Sequence, residues 1–155
     1  MKSLLLSLSL SCLLTSSVLA AGAVVTSPAI RGYDVIAYFT ESRAVRGSPE
    51  HRVEWRGASW LFASAANKAR FEADPSAYAP QYGGWCAYGM FKGYAAETDP
   101  VNAWTIHDGK LYLNWDADVA RKWRGDIPRH VSRADENWPQ VEAALEQGEA
   151  VVHWK

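Results

Sequence analysis

Between Trp104 and Trp115 the chain reads WTIHDGKLYLNW, in which Asp108-Gly109 separates two runs that alternate between apolar and polar residues. Asp-Gly accepts the two positive-φ positions of a type I′ turn at little cost, and that turn matches the twist of paired antiparallel strands. Pairing outward from the turn sets Ile106 against Leu111 and Trp104 against Leu113 on one face, with His107 beside Lys110 on the other. His107 is therefore expected in solvent. The run from His51 to Phe62, HRVEWRGASWLF, predicts a second hairpin turning at Arg56-Gly57. A two-residue loop there sets Val53 opposite Trp60, and His51 opposite Phe62 on the inward face.

The remaining punctuation is helical. Tyr33 to Phe39 is rich in β-branched and aromatic residues and reads as an extended entry segment. Ser64 is placed to cap a helix from Ala65 to Ala73, which Pro75 prevents from continuing past Asp74. Asp116 is placed to cap another from Ala117 to Arg124, with acids early, bases late and Gly125 as the stop. Beyond Pro128, Val131, Ala134 and Trp138 recur at helical spacing, and Pro139 reads as the start of a further helix ending at Gly148. Strands and short helices mixed without regular alternation predict an α+β fold: a small single domain with antiparallel hairpins and short packed helices.

The first residues, MKSLLLSLSLSCLLTSSVLA, carry one charge, an apolar run interrupted by serines, and then small residues. They read as a cleavable secretory signal over residues 1–23, too short for a permanent span. A lipid anchor at Cys12 is the competing reading, and Ser9-Leu10-Ser11 before it matches poorly. The expectation is an exported chain, periplasmic or secreted, with no stable membrane anchor. Loss of Lys2 leaves 15 basic against 17 acidic residues. Basic and acidic side chains are interleaved, which argues against nucleic acid as a partner. Eight Trp, seven Tyr and four Phe supply large rings for a small core.

Processing would leave Cys86 as a single thiol in an oxidising compartment, unable to form an internal disulfide. It stands in YGGWCAYGM, with Met90 four residues on. Thiolate and thioether are soft donors that suit Cu(I), and His51, if inward, adds an imidazole, so Cys86, Met90 and His51 form one candidate copper site. In the competing reading Cys86 is a small core residue beside Trp85 and Tyr88, and the domain binds a non-metal ligand or a protein through ring-lined surface. Catalysis is the weaker reading. A set of Cys86 with His51 or His107, oriented by Asp108 or Asp34, has no local signature around it, and there is no C-x-x-C pair. Haem attachment through C-x-x-C-H is absent as well. His130 and His153 read as ordinary surface residues.

Three stretches together carry a resemblance: RGYDVIAYF, then WRGASWLFASAANKARFEADPSAYAPQYGGWCAYG, then DPVNAWTIHDGKLYLNW with a terminal ADENWP. The specific pieces are F-A-S-x-x-N at Phe62 to Asn67, the block Tyr78 to Ala87, and D-G-K-L-Y-L-N. In these pieces the chain resembles the exported YHS-domain family from Arg31 to Pro139. The resemblance implies a small α+β fold, with the family domain over 28–139 and a C-terminal helix and tail over 140–155. It also implies metal-associated roles, because related domains occur in metal-transporting ATPases and in cysteine-bearing metal-binding modules. A monomer that binds copper for sensing, storage or delivery, with the metal ion or a metal-handling protein as partner, is the expectation. A four-thiolate zinc site is excluded by the single cysteine.

Overall fold

The structure, a computed structural model, describes residues 27–148. The signal segment 1–23, Cys12 and His153 lie outside the described residues. The elements run α1 (Val35–Thr40), β1 (Ser48–Trp55), β2 (Ala58–Phe62), α2 (Ala65–Ala73), α3 (Pro75–Tyr78), α4 (Ala87–Lys92), β3 (Trp104–His107), β4 (Lys110–Leu113), α5 (Ala117–Arg124) and α6 (Ile127–Glu146). Two antiparallel hairpins, β1–β2 and β3–β4, make an α+β domain with these helices. Among the described residues, no helix is long and apolar enough to cross a membrane.

The β3–β4 hairpin has the register its sequence dictates, with Trp104 paired to Leu113, Ile106 to Leu111 and His107 to Lys110. Asp108 and Gly109 take φ of 48° and 70°, as a type I′ turn requires. Strand β4 is buried on both faces, and its alternation divides two cores. Leu111 and Leu113 face one packed by Ile36, Tyr38, Trp60, Phe62 and Phe71. Tyr112 faces the other, with Tyr82, Trp85, Met90, Trp123 and Ala134. Ring geometry is specific in both: Trp60 stacks on Phe71 with centroids 4.9 Å apart, and Tyr112 lies 4.7 Å from Trp123.

The extended reading of Tyr33 to Phe39 gives way to helix α1, because Asp34 is its N-cap and accepts the Ile36 N–H at 2.9 Å. The same fully buried carboxylate accepts the Ala63 N–H at 2.8 Å and Asn67 Nδ2 at 2.7 Å. Three donors offset much of the cost of burying a carboxylate, and they join α1, the end of β2 and α2. This gives Asn67 in F-A-S-x-x-N a structural purpose. Ser64 and Asp116 cap α2 and α5 as read, accepting from Asn67 N and Val119 N.

Three further expectations are corrected. Val53 does face Trp60, but a bulge between Ser48 and Arg52 sets Ser48 opposite Phe62 and takes His51 out of that register. Pro139 does not begin a helix: α6 runs from Ile127 through Pro139 to Glu146, continuous across the boundary at residue 140. His130 is not a surface residue. Its Nδ1 lies 2.7 Å from the Trp123 carbonyl oxygen at the end of α5, its ring meets Phe91 and Tyr88 edge-on, and it is buried.

Candidate functional site

Cys86 forms the N-cap of α4 and turns its side chain back over the helix start, where Sγ accepts the Gly89 N–H at 3.3 Å. Its own N–H donates to Ala96 O, and it bridges Leu113 at the end of β4. The next residue, Asn114, is fully buried. Its Oδ1 accepts the Tyr88 N–H at 3.0 Å and lies 3.8 Å from Cys86 Sγ, within reach of the thiol hydrogen. The Asn114 Nδ2 group is buried without a partner. Gly89 lets α4 pack closely on the following loop: a Cβ there would stand 3.1 Å from Tyr94 O and 3.2 Å from its ring, tighter than ordinary contact.

Burial pushes the Cys86 thiol above its ordinary value, against the opposite pull of the Gly89, Trp115 and Tyr88 amides. At 2 % exposure it is a neutral thiol. Nucleophilic attack and metal ligation both need the thiolate, so burial works against each.

Cys86 caps α4 and Met90 lies one turn into it, fully buried among the rings of the second core. His51 is elsewhere. It is half-buried on β1, in the β1–β2 sheet, whereas Cys86 joins the end of β4. Among the described residues, no group of three or more His, Cys, Asp or Glu side chains is arranged to hold a metal ion. His107 is half-buried on the hairpin, 3.4 Å from Asp108. Asp34, a paper candidate for orienting a catalytic imidazole, is instead engaged by its three donors.

Backbone strain points to a different place. Six non-glycine residues among those described have positive φ: Ile30, Arg31, Ser42, Arg56, Tyr82 and Asp108. Arg56 and Asp108 lead the two hairpin turns, and Ser42 belongs to the turn after α1. The other three lie in two left-handed turns, Ile30-Arg31-Gly32 and Tyr82-Gly83-Gly84. A β-branched residue at φ 50° is strained by about 1–2 kcal/mol, and it persists only where surrounding contacts over-determine it. Here they do: the Ile30 side chain is buried, Gly47 N donates to Gly32 O, and Arg46 Nη1 donates to Arg31 O at 2.9 Å.

A cleft of about 310 Å³ opens between these turns, lined by Arg31, Gly84, Trp85, Glu97 and Thr98 together with Ser27 and Pro28. Arg31 Nη1 donates to the Thr98 carbonyl at 3.5 Å, and the Thr98 hydroxyl donates to Gly84 O at 3.3 Å, tying one turn to the other through a single residue. Asp99 stands just beyond. Burial raises its carboxyl, but hydrogen bonds from Asn102 and the Val101 and Asn102 amides, with the charge of Arg31, outweigh burial and hold it below the ordinary carboxylate value. The cleft therefore combines a guanidinium, a carboxylate, a hydroxyl and an indole in a volume near the low end of the roughly 300–1,000 Å³ usual for ligand pockets. Sequence reading missed it because its walls come from three separate segments. The visible signal was glycine beside arginine in RGY and beside tryptophan in YGGW.

No family model, no curated protein and no solved structure matches the chain.

Proposed function

We propose that this protein is an exported YHS-like binding module that takes a small organic molecule into the cleft between Arg31 and Trp85, with Cys86 as a structural cap. The observation that carries this reading is the convergence of two strained left-handed turns on one cleft with mixed polar and aromatic walls. Export rests on the leader-like residues 1–23, and the family assignment rests on the motifs between Arg31 and Pro139. The mode is capture by a monomer, and no chemistry on the ligand is required of it.

Copper held by Cys86, Met90 and His51 is the competing proposal, and one experiment separates the two. Gently purified wild type and Cys86→Ser are assayed for metal with a competing Cu(I) chelator present, and denatured extracts are analysed for small organic molecules. The cleft reading expects the same organic compound from both proteins and less than a tenth of an equivalent of copper from either. About one equivalent of copper on wild type, absent from Cys86→Ser, would replace it with the metal reading.

A further inference from the structure

Two stretches of the chain fold alike at a constant spacing of 52 positions, as from Pro28 to Pro80. Each proline leads a left-handed turn, with φ of 50° and 54° at Ile30 and Arg31 and of 56° and 62° at Tyr82 and Gly83. Each turn closes on the same backbone bond, Tyr33 N–H to Ile30 O and Trp85 N–H to Tyr82 O, both 3.1 Å. Asp34 and Cys86 then cap the six-residue helices α1 and α4. The correspondence continues through the hairpin turns at Arg56-Gly57 and Asp108-Gly109, the caps Ser64 and Asp116, and the ring pairs Trp60–Phe71 at 4.9 Å and Tyr112–Trp123 at 4.7 Å. It ends where Tyr78 meets Phe39 edge-on and His130 meets Phe91 edge-on. Matched bonds, caps and rings at one spacing describe a single supersecondary unit laid down twice.

The copies differ at the cap. In the first, the Asp34 carboxylate accepts the Ile36 and Ala63 N–H groups and Asn67 Nδ2. The counterparts of these residues are Tyr88, Trp115 and Val119, so the second copy keeps two backbone amides facing the cap and lacks the side-chain amide. Asn114 stands where the first copy has Phe62, and both are fully buried. Its Oδ1 accepts the Tyr88 N–H at 3.0 Å, the bond that Asp34 makes with Ile36, and its Nδ2 is left without an acceptor. We infer that the domain is a tandem duplication in which Cys86 with Asn114 occupies the place of a capping carboxylate, sulfur and amide oxygen dividing between them the bonds that Asp34 makes alone. The place is built for a hydrogen-bonded anion. A half-turn of the Asn114 carboxamide exchanges Oδ1, 3.8 Å from the sulfur, for Nδ2, and so offers that anion the donor Asn67 supplies in the first copy. This assignment stands apart from the cleft and rests only on Cys86 as a cap.

Urea unfolding of the intact protein at pH 7 tests this by comparing Cys86→Asp with Cys86→Val, side chains close in size and opposite in polarity. The carboxylate should meet the Tyr88, Trp115 and Asn114 donors and keep the folding equilibrium constant within about tenfold of wild type, while Cys86→Val falls below Cys86→Asp by about tenfold or more, because valine leaves buried amides unmet. The side-chain NH2 signal of Asn114 should move downfield in the ¹⁵N spectrum of Cys86→Asp as it gains an acceptor. In a plain apolar slot the order reverses: valine matches wild type, and an unpaired buried carboxylate lowers the constant by about a hundredfold or more. That order, or an Asn114 signal that stays in place, would overturn the assignment. Either result leaves the small-molecule reading of the cleft standing, since its own test is the compound recovered from the denatured protein.

Discussion

The Asn114 carboxamide accepts the Tyr88 N–H at 3.0 Å and lies 3.8 Å from Cys86 Sγ, so one fully buried amide serves both the first turn of α4 and the thiol that caps it. The arrangement explains how the Cys86 thiol sits buried beside glycines and rings in neutral form. Its polarity is spent locally, on the Gly89 amide and the Asn114 oxygen.

Asn114→Ala should therefore destabilise the protein by about 2–3 kcal/mol, because the Tyr88 N–H loses its acceptor in a buried site. Urea unfolding followed by tryptophan fluorescence measures this. A loss under about 0.5 kcal/mol would mean the amide is not part of the cap.

Cys86 should resist alkylation in the native state, with iodoacetamide labelling at pH 8 at least about a hundredfold slower than in urea, because reaction needs opening of the fold. The pH dependence has a defined sign. Burial raises the folded thiol above its ordinary value of 9.0, so its contribution to stability is complete below pH 9 and declines as the pH rises from there towards the folded value. The stability gap between wild type and Cys86→Ala should accordingly narrow above pH 9. A gap that widened there would contradict a buried neutral thiol.

Arg31→Gly should separate stability from binding. Glycine removes the left-handed strain at φ 54° but also the donation to Thr98 O and the charge beside Asp99, so the two effects oppose and stability should change by less than about 1 kcal/mol. Ligand binding should be lost. Thermal unfolding and titration on the same sample read both, and a variant that is less stable yet binds normally would remove Arg31 from the site.

Pro139→Ala should stabilise α6 by about 1–3 kcal/mol, since proline inside the helix withholds the N–H that the Asp135 carbonyl would otherwise receive. Equilibrium unfolding measures it. A loss of stability would show that the proline ring makes packing contacts worth more than the missing hydrogen bond.

Local chemistry was legible and long-range chemistry was not. The Asp108-Gly109 turn, the Ser64 and Asp116 caps and the Val53–Trp60 pairing depend on neighbours a few residues apart, so their sequence already contains the cause. Helix α1 was hidden because Val35, Ile36, Tyr38 and Phe39 favour strands, whereas Asp34 gains partners at Ala63 and Asn67, about thirty residues downstream. His130 read as polar because its acceptor is the Trp123 carbonyl on another helix. The β1 bulge that displaces His51 lies between Ser48 and Arg52, where Pro49 withholds a ladder N–H, upstream of the HRVEW run from which the register was read. Of the candidate donors, Cys86 and Met90 stand four residues apart, and the structure sets them at the N-cap and within α4. The cleft of Arg31, Trp85, Glu97 and Thr98 exists only once three distant segments meet.

The most direct measurement is an amide-resolved NMR titration of the ¹⁵N-labelled protein, with the organic compound recovered from the denatured protein in one series and Cu(I) in another. The organic compound should move the Trp85 indole N–H and the Gly84, Glu97 and Thr98 amides while those of Tyr88 and Gly89 stay still, and Cu(I) should move neither set. Still signals around the cleft, with Cu(I) shifting Tyr88 and Gly89 beside the Cys86 thiol, would contradict the account.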